Sequence, residues 1–526
     1  MSAFTAWPPG ALGGGHPDVL NRRIRELLLI GGSAVIPLVI GLAISIEVAR
    51  PNLLVLLGVA IGGLSVFALV TSDRYAMTVT LIALYLGLLE GPVKLGTGAH
   101  EEVSVIRDVL IFAVALGAVL RVIVKRQRVT LPALSAWPLA YAALVLAEAF
   151  NPNTHGIVKV LGGFRQQLEW LPFFFFGYVT MRSNERFRRL FLIVGVLALA
   201  NGVVSTYQTK IGPAQLAGWG PGYQELVYGG KGLSARTYQS EGVALVRPPA
   251  LGTDAGFGGA VGVVALPGLL ALLATGRLRR RWPVILLTLG ALVGVATGLG
   301  RLQVVGAVVA LLAFTALSFS MGRRVTRPLA VMLGILLLVL PLGAIFVSYE
   351  GGGTFSRYTE IAPENVTEAR DTKVGELEHI PSQIAEAPFG VGLGTVGAAS
   401  GFGGKQNELI EGHGVGAEDQ YKFVLDELGL PGLILWVALL IRLLTLGLGR
   451  LRFIGDLELR LYLAAVLSPV IAMTIMGFSG PVMSSAALGP FFWFATGIAA
   501  YWFAGPGRSV ARASVPRETV LAGVGR

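Results

Sequence analysis

Two groups of residues in this chain have the types and spacing for chemistry. The first is basic. Arg301 follows Thr297-Gly298-Leu299-Gly300, Arg247 stands in Val246-Arg247-Pro248-Pro249, and Lys159 and Arg165 lie in and just beyond the segment Asn151 to Gly163. A guanidinium is a planar fork that binds phosphate oxygens two at a time, so two of them can clamp a pyrophosphate without a metal ion. The second group is His413 with Glu411, Glu418 and Asp419. A carboxylate or an imidazole there could take a proton from an attacking hydroxyl. Each residue has a plainer alternative. Arg301 could simply reach a lipid phosphate, Arg247 could pair within its own loop, Lys159 and Arg165 could be ordinary loop cations, and the acids could merely solvate a loop.

Gly392-Leu393-Gly394-Thr395-Val396-Gly397 fits the G-x-G-x-x-G pattern. No strand precedes it and no βαβ unit surrounds it, so it reads as a tight loop and not as a dinucleotide site.

These residues must be positioned by elements made almost entirely of hydrocarbon. Hydrophobic residues are 54% of the 526, charged residues 14%, and the mean hydropathy is +0.69. A soluble chain of this length could not bury that much apolar surface. The formal charge of +11 fits the excess of Lys and Arg in cytoplasmic loops, and no basic helix interleaved with aromatics points to nucleic acid. With no cysteine there are no disulfides, thiolate metal sites or cysteine nucleophiles. Residues 1–20 are rich in Gly and Pro, and Arg22, Arg23 and Arg25 precede a full-length apolar run. That pattern reads as a first spanning helix with its N-terminus inside, not as a cleavable signal peptide.

The expected architecture is an all-α polytopic integral membrane protein of about 14 transmembrane helices, taking roughly 20 apolar residues per span. The spans fall near 27–46, 52–71, 75–92, 104–124, 131–149, 165–181, 187–207, 255–275, 282–299, 302–319, 328–349, 428–447, 459–478 and 484–504. Both termini are then cytoplasmic, with 1–26 and 505–526 disordered. Helices one to seven occupy 27–207, eight to eleven 255–349, and twelve to fourteen 428–504. Residues 208–254 and 350–427 form long extracytoplasmic loops. This topology puts 27 of the 42 Lys and Arg residues inside, including Lys125, Arg126, Arg128, Arg182, Arg186, Arg188, Arg189, Arg277, Arg279, Arg280 and Arg281. In the larger loop Val374, Leu377, Ile380 and Ile384 recur at helical spacing, which predicts an amphipathic helix on the outer membrane face, bent by Pro381. Ionisable residues mark outer ends (Glu47, Arg107, Asp108, Glu148) and avoid mid-span positions. A coupled carrier needs a relay near the midplane, so this distribution argues for a site at the outer leaflet.

Four segments resemble the bacterial O-antigen ligase / O-antigen polymerase superfamily. They are Gly162-Gly163-Phe164-Arg165 through Leu171-Pro172 to Arg182-Ser183-Asn184-Glu185; Arg247-Pro248 followed by Leu251-Gly252-Thr253-Asp254; Thr297 to Arg301 running into Val304 to Leu312; and the block from Ala387-Pro388-Phe389-Gly390 to Tyr421 and Leu425-Asp426-Glu427-Leu428-Gly429-Leu430-Pro431-Gly432. Together they extend over roughly residues 100–500.

The resemblance implies an inverting, metal-independent glycosyltransferase with no cofactor. Its donor is a polyprenyl-pyrophosphate-linked glycan and its acceptor a hydroxyl of a glycan or lipid-glycan. The reaction takes place at the outer face of the bacterial cytoplasmic membrane, among membrane lipids and with polysaccharide assembly proteins as further partners. Arg247 and Arg301 match the positions that hold the leaving pyrophosphate. Ligases of the family place a His nine residues before the Glu of a Glu-x-Gly motif; counting back from Glu427 reaches Glu418, and His413 lies five residues earlier. That departure favours polymerase over ligase and leaves Glu418, Asp419 and His413 as alternative bases. The rival readings are a transporter or flippase of lipid-linked glycans and an inactive scaffold. Glu418→Gln and His413→Ala separate two of the base candidates. The variant lacking the base is expected to lose turnover by about 10²–10⁴-fold in a transfer assay with a lipid-linked oligosaccharide; full turnover in both removes the assignment.

Overall fold

The computed structural model describes residues 75–98, 100–124, 131–152, 154, 156–229, 236–240, 243–275, 280–319, 321, 334, 358, 380–401 and 419–507. The chain divides into two compact units, one of residues 1–78 and 101–129 and the other of 79–100 and 130–526. Residues 1–26 and 508–526 of the expected disordered ends, the first two spans, the span at 328–349 apart from Gly334, and Val374 and Leu377 of the amphipathic helix lie outside the described residues.

The described chain is mostly helical. In order the elements are α1 (Tyr75–Leu84), a π-helical turn (Tyr85–Leu89), α2 (Glu90–Thr97), α3 (His100–Val124), α4 (Ala136–Glu148), α5 (Ile157–Leu168), α6 (Pro172–Thr180), α7 (Asn184–Lys210), α8 (Pro213–Ala217), α9 (Pro221–Tyr228), β1 (Thr237–Ser240), β2 (Val243–Val246), α10 (Phe257–Thr275), α11 (Trp282–Thr297), α12 (Arg301–Phe319), α13 (Ile380–Glu386), a 3-10 turn (Gly397–Gly401), α14 (Gln420–Leu451), α15 (Leu457–Met476), α16 (Gly489–Ala499) and a second π-helical turn (Ala500–Ala504). Among the described residues six helical stretches are long and apolar enough to cross a membrane: Val79–Thr97, α7, α10, α12, α14 and α15; α4 and α11 are shorter and equally apolar. In the smaller unit, α3 carries Arg107 and Asp108, which approach to 3.4 Å.

In the larger unit α10 is the core. It is apolar on every side, buried along nearly its whole length, and packed by α7, α11, α12 and α15. Small residues let the backbones close in: any side chain on Gly202 of α7 would meet the backbone of Gly290 and Gly294 in α11.

Three boundaries differ from the expectation. The span foreseen at 165–181 is two helices, α5 and α6, separated at Glu169 to Leu171, because Pro172 has no N–H to continue the first helix and instead starts the second. The loop foreseen at 208–254 is built, with α7 running to Lys210 and then α8, α9 and an antiparallel hairpin pairing Thr237 with Val246 and Ser240 with Val243. Leu95, Leu216, Tyr223, Val227 and Val246 form a small core beneath these elements. The hairpin is an exception to the all-α expectation. Finally, α14 begins at Gln420 inside the segment assigned to the large loop, and breaks at Gly429, where φ is 63° and ψ is −165°. Of the foreseen amphipathic helix, Ile380–Glu386 is helical and includes Pro381 and Ile384.

The bundle has two chemically distinct ends. At one end Arg188 of α7 binds Glu458 of α15, with Nη2 at 2.5 Å and Nε at 2.8 Å from Oε1, and the Tyr462 hydroxyl donates to the same oxygen at 2.8 Å. Asn184 donates to Asp456 at 2.8 Å, Trp502 Nε1 to the Met181 carbonyl at 2.7 Å, and Arg450 to the Phe503 carbonyl. At the other end lie the start of α12, the end of α15, the start of α14 and the turns between them. Arg188→Ala strands the buried Glu458 carboxylate and is expected to lower apparent stability by about 2–3 kcal/mol, read as a lower unfolding temperature in detergent, whereas the exposed Arg189→Ala leaves it nearly unchanged.

Candidate functional site

The site end is built from turns, and buried amide side chains fix two of them, those at Ala250 and at Met483. Arg247 leaves the hairpin, its N–H donating to the Arg236 carbonyl at 3.0 Å, and enters Pro248-Pro249-Ala250-Leu251. Ala250 is fully buried and adopts φ 55°, a left-handed conformation that costs a residue with a Cβ about 1 kcal/mol or more. Gln208 of α7 pays for it by gripping Ala250 from both sides, accepting from its N–H at 2.8 Å and donating to its carbonyl at 3.1 Å. Asn201, two turns earlier, accepts from the Leu251 N–H at 3.0 Å and donates to the Gly87 and Leu197 carbonyls, each at 2.9 Å.

Arg301 opens α12 after a three-residue turn that contains the second strained residue, Leu299, buried at φ 50°. Among the described residues three non-glycine positions have positive φ, and two of them flank the two candidate arginines. The turns are neighbours. The Gly256 N–H donates to the Pro248 carbonyl at 2.9 Å, and Gly256 lies against the Gln303 side chain, one turn into α12. Arg301 is exposed and Arg247 half-buried. From the large loop, the Tyr358 hydroxyl donates to the Ala296 carbonyl at 2.5 Å, beside the same turn.

On its other side the start of α12 meets the turn after α15, where Leu302 faces Gly480. That turn holds the start of α14. Gln420 donates its N–H to the Gly477 carbonyl at 2.7 Å, and its side-chain oxygen accepts from Met483 and Ser484 at 3.0 and 3.2 Å. Asp419 precedes it as the helix cap, accepting from the Lys422 N–H at 2.6 Å. Asp419 therefore has a structural task that its position in the sequence did not reveal. Glu411, His413 and Glu418 lie outside the described residues.

Lys159 and Arg165 sit on α5, not in a loop; the Ile157, Val160, Leu161, Phe164 and Leu168 spacing is helical. Lys159 is buried and donates to the Ser400 carbonyl at 3.0 Å, so it pins the 3-10 turn and offers no open charge to a ligand. Burial holds its ammonium below the ordinary lysine range, with the charge of Glu427 opposing. Arg165 is half-buried. The structure thus brings Arg247, Arg301 and Asp419 onto adjoining turns and gives Lys159 a different role.

The glycine pattern is a loop, with Gly392, Gly394 and Gly397 at φ 95°, 69° and 72°. It lies in the break of α14: Val391 donates to the Asp426 carbonyl at 2.7 Å and Leu430 to the Pro388 carbonyl at 2.9 Å, and a side chain on Gly429 would strike the Phe389 backbone. Glu427 is the centre of this packing and was not singled out from the sequence as a site residue. It is fully buried, accepting from Gln167 at 2.7 Å and more distantly from Gln166 and the Val396 N–H, each at 3.4 Å. Gln167 in turn accepts from the Tyr141 hydroxyl, and Gln166 spans the loop, donating to Val396 at 2.9 Å and accepting from Ala399 at 2.8 Å. The signal that could have found them was the pair of adjacent amides, Gln166 and Gln167, at the end of a helix in a charge-poor chain.

Among the described residues no group of three or more His, Asp or Glu side chains is placed to hold a metal. Beside the Arg247 turn lies an open groove of about 650 Å³ lined by Pro92, Gly96, Val203, Val204, Tyr207, Trp219, Tyr223 and Leu251. It carries no charged side chain, and the Tyr207 and Trp219 rings stack at 6.0 Å. Comparison of the chain with family models, with curated proteins and with solved structures finds no match in any of the three.

The cap role of Asp419 makes a direct prediction. Asp419→Ala is expected to cost about 1 kcal/mol of stability, and Asp419→Asn, which keeps the accepting oxygen, only a few tenths. Thermal unfolding in detergent reads the difference; equal losses in both would remove the cap.

Proposed function

We propose that the chain is a metal-independent membrane glycosyltransferase, using a polyprenyl-pyrophosphate-linked glycan as donor and extending or transferring that glycan onto an acceptor hydroxyl. The observation that carries this reading is the placement of Arg247 and Arg301 on two neighbouring turns with left-handed residues at one end of the helix bundle, the first of them held by Gln208 and Asn201. Fixed guanidiniums at a water–membrane boundary stabilise a departing diphosphate electrostatically, and a rigid mount means that little reorganisation is needed as charge develops. Strain retained at two adjacent turns is consistent with a functional site. The basic clusters at the opposite end support an orientation with the arginine turns outside.

In the full arrangement the chain crosses the bacterial cytoplasmic membrane about fourteen times, with both termini inside and the site on the extracytoplasmic side. The base comes from the segment that leads into α14, where Glu418, His413 and Asp419 remain the candidates. Polymerisation is favoured over ligation on the motif grounds given above.

Arg301→Ala and Arg247→Ala are each expected to abolish transfer from a lipid-linked oligosaccharide by purified protein, a loss of at least about 10²-fold, while insertion and unfolding temperature stay unchanged. The assay reads lengthened or transferred product together with the released carrier. Full product from both variants, in folded protein, removes the pyrophosphate clamp.

A further inference from the structure

The groove beside the Arg247 turn is walled by α2, by the last turns of α7, by α9 with the residues before it, and by Leu251. Its walls are closely packed. A side chain on Gly220 would strike the Gly96 backbone, and one on Gly91 would strike the carbonyls of Leu251 and Gly252. The shape is therefore set before any ligand arrives. At about 650 Å³ the groove has the size of a small-molecule site, roughly 300–1,000 Å³.

Three aromatic side chains give the groove its chemistry. Tyr207 and Trp219 lie nearly parallel, with planes at 18° and ring centres 6.0 Å apart, and Tyr223 meets Trp219 edge to face at 5.5 Å. Tyr207 is 52% exposed and Trp219 38%, so this is no core pair but an aromatic surface open to whatever enters. Tyr223 differs. It is 4% exposed, held in the small core with Leu95, Leu216, Val227 and Val246, and it lines the groove. Among the described residues its hydroxyl has no hydrogen-bond partner. Burial pushes the phenol up from its ordinary value, so it keeps its proton and remains a donor.

These features select a class of ligand. No charged side chain lines the groove, so an ion gains nothing there. A hydrocarbon chain would fill it but would also cover the Tyr223 hydroxyl without giving it a partner, which is unfavourable. A saccharide answers both needs. The C–H bonds on one face of a pyranose are slightly positive and settle on the negative face of an aromatic ring, and the hydroxyls at its rim accept hydrogen bonds. The flanking chain is polar, with Lys210, Gln215 and Gln224 exposed, and α8 and α9 are too short to cross a bilayer. Leu251 joins the groove to the arginine turn, its N–H held by Asn201 at 3.0 Å.

We propose that the groove is a saccharide subsite, in which Tyr207 and Trp219 stack a pyranose ring and the Tyr223 hydroxyl donates to one of its hydroxyls. That the sugar belongs to the transferred glycan rests on the proposed function; that a sugar binds does not. The test uses the full chain purified in lauryldimethylamine oxide, because glycoside detergents would compete. It is screened on an array of bacterial cell-surface oligosaccharides, and the tightest binder is titrated by calorimetry, with farnesol titrated alongside as a hydrocarbon probe. Tyr223→Phe removes the hydroxyl alone and is expected to weaken the oligosaccharide about 3–10-fold. Trp219→Leu keeps the groove apolar but removes the ring, and is expected to weaken it about 3–10-fold as well. If Trp219→Leu does not fold, Tyr223→Phe decides alone. No bound oligosaccharide on the array, or unchanged affinity in either folded variant, overturns the subsite. Farnesol weakened by Trp219→Leu while the sugar is not assigns the groove to a hydrocarbon chain and overturns it too. The binding arm needs no turnover. Sugar bound in the groove of a protein that transfers nothing removes the proposed function and keeps the subsite, and transfer without such binding does the reverse.

Discussion

A helix satisfies its own backbone; a turn inside an apolar bundle does not. Every N–H and C=O released by such a turn must find a partner, because no water stands ready to supply one. This protein meets that constraint with primary amides. Gln208 and Asn201 hold Ala250 and Leu251, Gln166 holds Val396 and Ala399, and Gln420 holds Met483 and Ser484. An amide suits the task because it offers a donor and an acceptor from one neutral group, so a strand of backbone can be gripped on both its polar edges without burying a charge. The site exists because these turns are possible, and the turns are possible because helices α5, α7 and α14 carry amides at buried positions.

Glu427 is the exception, a carboxyl placed where amides serve elsewhere. Its surroundings explain how it is accommodated. Gln167 donates directly to it, Gln166 and the Val396 N–H approach more distantly, and the Tyr141 hydroxyl locks Gln167 in the orientation that points its NH₂ at the carboxyl. The residue therefore ties α4, α5, the glycine loop and the short first segment of α14 into one body. The break at Gly429 gives the loop its berth, and the loop closes the break by pairing Leu430 with Pro388.

Much of the helical framework was legible in the sequence. Long apolar runs bounded by arginines gave the positions of α7, α10, α11, α12 and α15 to within a few residues, because their outer limits are set by charge and glycine. Legibility failed where a span was taken across a break. The expected span at 165–181 runs the polar end of α5 into α6, with Glu169, Trp170 and Leu171 between them, and only Pro172 marks the restart. The start of α14 was hidden for the opposite reason, because Gln420, Lys422, Asp426 and Glu427 make a helix turn look like loop. Of the candidate site, the sequence drew attention to the two arginines because they sit badly in their surroundings. The burial of Lys159 against the Ser400 carbonyl was not legible, because a lysine that binds a carbonyl indoors and a lysine that awaits an anion have the same letter. The amides escaped notice altogether, since Asn and Gln carry no charge to stand out against a charge-poor background.

One consequence of that last feature concerns acidity. Carboxylates and imidazoles gain protons as a medium turns acid, and a scaffold fastened by them loosens accordingly. Primary amides neither gain nor lose a proton anywhere in the biological range. The hydrogen bonds by which Asn201, Gln208, Gln166 and Gln420 secure their loops thus hold in sour or alkaline surroundings alike.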